Sequence, residues 1–499
     1  MTNKILIWPR SNLMYFGIVK ELKEKINCEL FAGIDDNNFS KEFYSNQKIV
    51  NFKKIFFYGD YIKNKFEEVD LKYLEEFEKK YKINLWNLIY SDRTLHNYNQ
   101  YYKFSKEESL AIIQFSCRFL EKMLEEINPD CIIMDLSAFH QDVILESICK
   151  IKKIRIMCLS QPRFGYTAMI SQEPDAIDSD DIKSHDELNG LRTFEEVLEH
   201  IKGYSKQQKI FFKKYNISLK TRISAGSRFL SSTKNSDYIK YYPNYGKTNL
   251  RIIQNQMKFL IKRIYRTDYL KRICEKSIPE NKKFIYFPLH YQPERSTLIQ
   301  APYWVNQLEV IRNISKSIPI EYVLCVKEHP LMNSLGWRNT DYYKQIKELP
   351  NVKLIHHSLS NEEVIKHASL IITITGTAGL EAVFYQKPAI IFGKTIYSEI
   401  PGVFKIKSLN ELSITIKKAL ETKIDVRDVT NFVSKIENNS FSFDIAGLYT
   451  DMLQKFQFSG FSSLLDISQD KMQDYLEEKK KLFSTLADEF VKKINHVFH

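Results

Sequence analysis

Two spacings of apolar residues alternate along this chain. Short apolar runs such as KILIW (4–8) and CELFAGI (28–34) flank a longer stretch, MYFGIVKELKEKI (14–26), whose apolar positions recur every three or four residues. The first spacing predicts buried strands and the second amphipathic helices. The alternation continues with helical SLAIIQFSCRFLEKMLEEI (109–127), strand-like CIIMD (131–135), helical DVILESICKIKK (142–153) and strand-like IRIMCLS (154–160). From about 166 to 280 the chain becomes charged and helix-rich, broken by loops such as YYPNYGKTN (241–249). Alternation then resumes. KFIYFPL, IEYVLCVKEHP, VKLIHH, SLIITIT and KPAIIFG read as strands, and the segments between them read as helices, one of which has Ser360 or Asn361 as its N-cap. LNELSITIKKALE (409–421) adds a further helix.

Strands alternating with helices predict an α/β protein with parallel sheets. The pattern predicts two Rossmann-like, doubly wound domains facing a cleft, an N-terminal one at 1–165 and a C-terminal one at 281–425. A helical, basic insertion at 166–280 joins them, and C-terminal helices over 426–499 pack back on the body. In the last of these, Met472, Tyr475, Leu482, Leu486 and Phe490 share one predicted face.

At 499 residues, two domains are the natural size. The seven cysteines are scattered and form no CxxC pair, so neither a disulfide framework nor a cysteine zinc site is expected. No apolar run approaches the length of a membrane span, and the N-terminal run is too short for a signal peptide. The cytoplasm is the expected compartment. The net charge of +12 changes the picture further. Residues 202–283 hold about twenty Lys and Arg against about four acids, whereas 171–188 is acidic. A solvated helical face explains this, and so does a surface for anionic lipid or a lipid-linked polyanion. Zinc-finger, RNP-like and basic-zipper patterns are absent, which excludes the common nucleic-acid readers.

Candidate chemistry gathers where strands end, as expected for open α/β sheets. SLIITITGTAGLEAVFYQ closes a strand at Thr375 and opens a helix through Gly376, Thr377, Ala378 and Gly379. Small residues and free N–H groups at a helix start suit a phosphate or diphosphate, and Glu381 can accept from ribose hydroxyls. A compact strand-to-helix turn is the alternative. KEHP places His329 where it can donate to a phosphate oxygen, with Pro330 fixing the turn and Lys327 adding charge. HYQPER brings His290, Glu294 and Arg295 together, groups suited to proton transfer, nucleophilic attack or anion pairing. In the first half, Asp92, Asp135 and Asp142 are candidate acids, with helix capping as the alternative for Asp135 and Asp142. Arg163 is a candidate anion partner. Metalloprotease, serine-hydrolase and Walker motifs do not occur in supporting contexts.

Together these loops resemble the capsular-polysaccharide biosynthesis glycosyltransferases of GT-B fold, including bacterial capsule Kdo transferases. The resemblance is best over 284–393 and weaker over 85–165. That family carries P-L-Q-x-x-x-D, K-x-H-P and a small-residue turn before a helix. Here the first motif has His290 in place of Gln and Glu294 in place of Asp. The resemblance implies a bacterial, cytoplasmic transferase that contacts the membrane peripherally and needs no catalytic metal or cofactor. Its substrate would be a nucleotide-sugar donor, most directly a CMP-linked ulosonic acid, and its acceptor a glycan or lipid-linked glycan. It further implies that His329 and the 375–381 turn hold the nucleotide, that Glu294 faces the sugar, and that Arg163, Arg295 or Lys327 pairs with the sugar carboxylate. Open alternatives are a CDP-polyol phosphotransferase of teichoic-acid type, a UDP-sugar transferase or 2-epimerase, and a non-catalytic glycan- or membrane-binding assembly protein.

Overall fold

The computed structural model describes residues 3–10, 12–35, 38–62, 67–96, 98–178, 241–279, 282–332, 338–456 and 467–498. In chain order the strands are β1 (Asn3–Trp8), β2 (Cys28–Ile34), β3 (Lys54–Phe57), β4 (Cys131–Met134), β5 (Arg155–Ser160), β6 (Thr167–Ser171), β7 (Lys283–Pro288), β8 (Tyr322–Lys327), β9 (Val352–Ile355), β10 (Leu370–Thr373), β11 (Ala389–Ile391), β12 (Val403–Lys405) and β13 (Phe441–Ser442). They make two sheets in two compact units. The described residues up to 178, with 241–249 and 439–498, form the first unit, and 250–438 lie in the second.

The first sheet runs β13-β6-β5-β4-β1-β2-β3, with β1 to β5 parallel and β6 antiparallel to both β5 and β13. Its central strands are apolar throughout because both faces are covered. Ile5 and Ile7 enter one layer of core while Leu6 and Trp8 enter the other, as a period of two requires. The first layer is closed by helices Met14–Lys25 and Lys480–Phe498, and the second by Lys106–Ile127 and His140–Lys152. Where the first pair meets, a Cβ on Gly17 would lie 2.4 Å from the Phe483 ring, so glycine sets how closely the helices approach.

The C-terminal stretch differs from its predicted pattern at Leu482, which is 41% exposed, while Phe483 is fully buried. The chain breaks at Lys479 between helices Gln469–Glu478 and Lys480–Phe498, and the break resets the phase that one continuous helix would keep. Strands β3, β12 and β13 escape the pattern because they lie at sheet edges and are only partly buried, so they give no uninterrupted apolar run. β6 falls inside the stretch read as helical.

The second sheet runs β12-β11-β10-β7-β8-β9 and is parallel throughout. Ile285 and Phe287 face one layer, and Phe284 and Tyr286 face the other. In both units the chain starts mid-sheet, winds outward, returns to the middle and winds the other way. This doubly wound order creates a switch point between β1 and β4 in the first unit and between β7 and β10 in the second. Among the described residues, no helix is long and apolar enough to cross a membrane.

Candidate functional site

The second unit's switch point is where its candidate residues meet. After β7 the chain is pinned rather than loose. Gln307, fully buried at the start of helix Gln307–Ser317, accepts the His290 N–H at 2.7 Å and donates to the His290 carbonyl at 3.1 Å. The His290 ring then reaches across to β10, where its Nε2 accepts the Thr375 backbone N–H at 3.2 Å. Thr373 Oγ1 accepts the next amide, that of Gly376, at 3.1 Å. A Cβ on Gly376 would sit 2.6 Å from Thr373 Oγ1 and 3.2 Å from His290 Nε2, so the brace fits only against glycine. His290 was a candidate for proton transfer. With Nε2 occupied by a backbone amide, its role in this fold is to fix the turn.

Helix Thr377–Phe384 begins at that turn with Gly376 as N-cap. Its Gly379 amide bonds back to the Gly376 carbonyl at 3.2 Å. The Thr377 and Ala378 amides lie in the first turn, where a helix has no acceptors of its own. The Thr375 hydroxyl donates to the Ser296 carbonyl at 2.8 Å, so it presents only lone pairs to a ligand. Ser296 belongs to the short helix Arg295–Leu298. Glu294 precedes that helix as an exposed residue in extended conformation, its side chain making no cap bond. Arg295 beside it is half-buried.

β8 supplies the third loop. The Lys327 ammonium donates to the Leu359 carbonyl at 2.9 Å, and burial pushes its pKa down to about 8 against the opposing charge of Glu381. Burial pushes the Glu381 carboxyl up to about 7, against the Thr377 hydrogen bond and the Lys327 charge. His329 is half-buried, and its Nδ1 accepts the Leu331 N–H at 3.2 Å. The neutral ring therefore carries its proton on Nε2, as a donor. Pro330 is exposed in the following turn, which the Met332 N–H closes on the His329 carbonyl at 2.9 Å.

Burial lowers the His329 pKa from 6.5 to about 4. The unfolded chain therefore binds more protons than the fold between those values, and stability falls as pH drops through that window. The His329→Gln variant is expected to lose this component of the acid slope. Denaturant unfolding at several pH values from neutral to acidic measures it, and an unchanged slope would refute the assignment.

Residues that sequence reasoning did not single out tie these loops together. Glu328 alternates inward from Lys327 and His329 and is nearly fully buried. Its carboxylate accepts from the His329 N–H at 2.6 Å, the Tyr343 hydroxyl at 2.5 Å and Arg338 Nη1 at 2.6 Å. The other fork of Arg338 donates to the His290 carbonyl at 2.6 Å and reaches the Gln292 amide oxygen at 3.4 Å. Burial opposes charge on Arg338, but Glu328, Tyr342 and Tyr343 outweigh it and hold the guanidinium above its ordinary pKa. One buried ion pair thus joins the β7 and β8 loops. Arg266 extends it, donating to the Met332 carbonyl at 2.7 Å.

In the first unit the acidic candidates have structural duties. Asp142 is fully buried; it accepts from Trp8 Nε1 at 2.8 Å and from the Ala138 and Phe139 amides at the start of helix His140–Lys152. Asp92 is buried against His140, at 2.8 Å from Nδ1 and 3.1 Å from the backbone N–H. Burial disfavours its charge, yet His140 and the amides around it hold its pKa below the ordinary value. Neither carboxylate is open to an acceptor hydroxyl, so both are corrected from catalytic candidates to structural acceptors. Asp135 follows β4, pairs with Arg10 at 2.9 Å and keeps 18% of its side chain exposed, so it sits at this unit's own switch point. Arg163 lies half-buried between β5 and β6 with φ of 63°. Arg10, after β1, and Asp35, after β2, were missed. Asp35 accepts from Gln141 and from the Tyr241 hydroxyl, and burial with Asp142 raises its pKa. Among the described residues no cluster of His, Cys, Asp or Glu is placed to hold a metal ion.

Comparison with known proteins places this geometry. Residues 189–431 match the family model described as capsule polysaccharide biosynthesis protein. The capsule polysaccharide export protein KpsS of Escherichia coli is 33% identical over 101 residues, which are 19% of this chain and 25% of that relative. The chain thus spans a quarter of the length of the curated relative it matches. Among solved structures, a Thermosulfurimonas dismutans KpsC β-Kdo 2,7 transferase is 12% identical, with 68% of this chain and 90% of that chain covered at a TM-score of 0.30. The UDP-GlcNAc 2-epimerase of Methanocaldococcus jannaschii is 13% identical, with 85% and 94% covered at a TM-score of 0.23. At those scores the fold assignment rests on the sheet topology itself. Residues 189–431, which include the β7, β8 and β10 loops, are thus similar to the capsule polysaccharide biosynthesis family.

Proposed function

We propose that this chain is a glycosyltransferase of bacterial capsule polysaccharide assembly whose second unit binds a nucleotide-sugar donor, most directly a CMP-linked ulosonic acid. The observation that carries the reading is the convergence of three loops at the β7–β10 switch point, locked by the hydrogen bond from the Thr375 amide to His290 Nε2. The family match over the same loops supports it. The proposed sugar class comes from the motif resemblance of the loops at 288–294, 327–330 and 375–381.

In this reading His329 Nε2–H and the Thr377 and Ala378 amides hold the donor phosphate, and Glu381 accepts from ribose hydroxyls. Lys327 and Arg295 supply positive charge for the sugar carboxylate. Stabilising the leaving phosphate with amides and cations makes a catalytic metal or other cofactor unnecessary. Glu294, exposed and accepting the Ser296 hydroxyl at 3.5 Å, deprotonates the acceptor hydroxyl or attacks the anomeric carbon. The acceptor is a glycan or lipid-linked glycan, taken at the inner face of the cytoplasmic membrane, with Asp135 a candidate on the acceptor side.

A nucleotide panel of CMP, CDP, UDP, GDP and ADP tests the reading by thermal unfolding. CMP at about a hundredfold over its Kd is expected to add about 2.7 kcal/mol, a shift of about 5–10 °C for a unit of this size. A larger shift with CDP would indicate a polyol phosphotransferase, and with UDP a hexose transferase or 2-epimerase. No shift with any of them would defeat the proposal in favour of a binding protein.

A further inference from the structure

Helix Asn249–Ile273 has two unlike faces. Ile252, Arg266 and Leu270 are buried, and Leu270 joins the core of the second unit. On the opposite side Leu250, Ile253, Met257, Leu260, Ile264 and Tyr265 are 45% to 70% exposed. Leu250, Ile253, Met257, Leu260 and Ile264, at spacings of three, four and seven, lie in one stripe about 21 Å long, and Tyr265 borders it. At about 100° per residue, Arg251, Lys258 and Lys262 run along one edge of the stripe, and Lys271 continues the row of Ile253 and Ile264 beyond its end. All four are exposed. The helix holds seven Lys and Arg (251, 258, 262, 263, 266, 271 and 272) against the single acid Asp268, which pairs with Arg272.

So many large apolar side chains facing water on one helix mark a docking surface. The charge on its edges decides the occupant. A second copy laid on the stripe would bring like charge against like charge, whereas an anionic surface complements it. The cations also prevent the helix from crossing a bilayer, while long Lys and Arg side chains suit one lying in the interface. The inner face adds a link to the site. Arg266 holds the Met332 carbonyl at 2.7 Å, and the Met332 N–H closes the turn that carries His329.

We infer that helix Asn249–Ile273 is a membrane-surface anchor, its apolar stripe set among the headgroups of an anionic bilayer and its Lys and Arg edges on lipid phosphates. It presents the donor turn of the second unit to the membrane from the same rigid element. This deepens the membrane-facing part of the proposed function and stands independently of the donor.

The test is co-sedimentation of the full chain with vesicles of pure phosphatidylcholine and with vesicles one-third phosphatidylglycerol. Binding is expected to the anionic vesicles and to be at least about tenfold weaker to the neutral ones. Leu260→Asp with Ile264→Asp is expected to abolish it, and Lys258→Glu with Lys262→Glu to reduce it at least about tenfold at low salt. All four side chains are exposed, so melting temperature and nucleotide-induced stabilisation should match the parent, which separates this result from failure of the donor reading. Equal binding to both vesicle types, no binding to either, or parental binding by the Asp pair would overturn the inference. So would a dimer in gel filtration that the Asp pair converts to monomer.

Discussion

Arg338→Ala is expected to cost about 3–5 kcal/mol of stability, because it strands the Glu328 carboxylate in a buried position without its partner. The side chain of Arg338 has no exposed surface and that of Glu328 only 4%, so water cannot replace the lost interaction without opening the unit. The same change releases the His290 carbonyl, which leaves Gln307 alone to position the ring that braces the Thr375 amide. Loss of nucleotide-induced stabilisation should therefore accompany the loss of stability. Arg338→Lys keeps the charge but not the planar fork, so it can satisfy Glu328 or the His290 carbonyl and not both. Its expected signature is partial stability with weakened nucleotide binding. Pairing Arg338→Met with Glu328→Gln should cost less than the two single changes summed, since no buried charge is then left alone. Urea unfolding of these five variants, the two single changes of the pair included, measures this. A cost below about 0.5 kcal/mol for Arg338→Ala would sink the account of a buried, essential pair.

The second large effect separates chemistry from binding. Glu294→Gln is expected to lower kcat by about 10²–10⁴ while leaving nucleotide affinity unchanged, because the residue is exposed, caps no helix and is proposed to act on the acceptor or the sugar. His329→Ala is expected to do the reverse, weakening nucleotide affinity by about 10-fold to 150-fold through loss of one hydrogen bond to a charged phosphate. Single-turnover transfer beside equilibrium titration distinguishes the two. If Glu294→Gln transfers at the parental rate, the catalytic assignment fails, whatever the binding result.

The fold was largely legible because each central strand is buried on both faces and so appears as an uninterrupted apolar run, as KILIW and SLIITIT do. The helices between them carry a clear three-to-four spacing. Edge strands such as β3 and β13 are only partly buried and give no such run, and the break at Lys479 displaced the face predicted through Leu482. At the candidate site, the sequence pointed to the loops that meet at the β7–β10 switch point, because open sheets gather chemistry at the carboxyl ends of strands. It could not separate the duties of neighbours within a loop. His290 and Glu294 are four residues apart, yet one is locked into the turn and the other faces water. Glu328 lay unnoticed inside the KEHP motif because its partners come from 10 and 15 residues further on. Asp92 and Asp142 illustrate the converse: an acid in a loop or at a helix start looks the same in sequence whether it meets substrate or satisfies buried amides.

The return of the chain to its first sheet through β13 and helix Lys480–Phe498 gives the two units different folding schedules. Every strand of the second sheet has been synthesised by Lys405, and its unit is complete in the chain by Asn438. The first unit begins earlier but cannot finish, because the layer over Ile5 and Ile7 waits for Phe483, Leu486 and Phe490. During synthesis the half that starts first is therefore the half that closes last, and until then it exposes an apolar sheet face of the kind that chaperones bind.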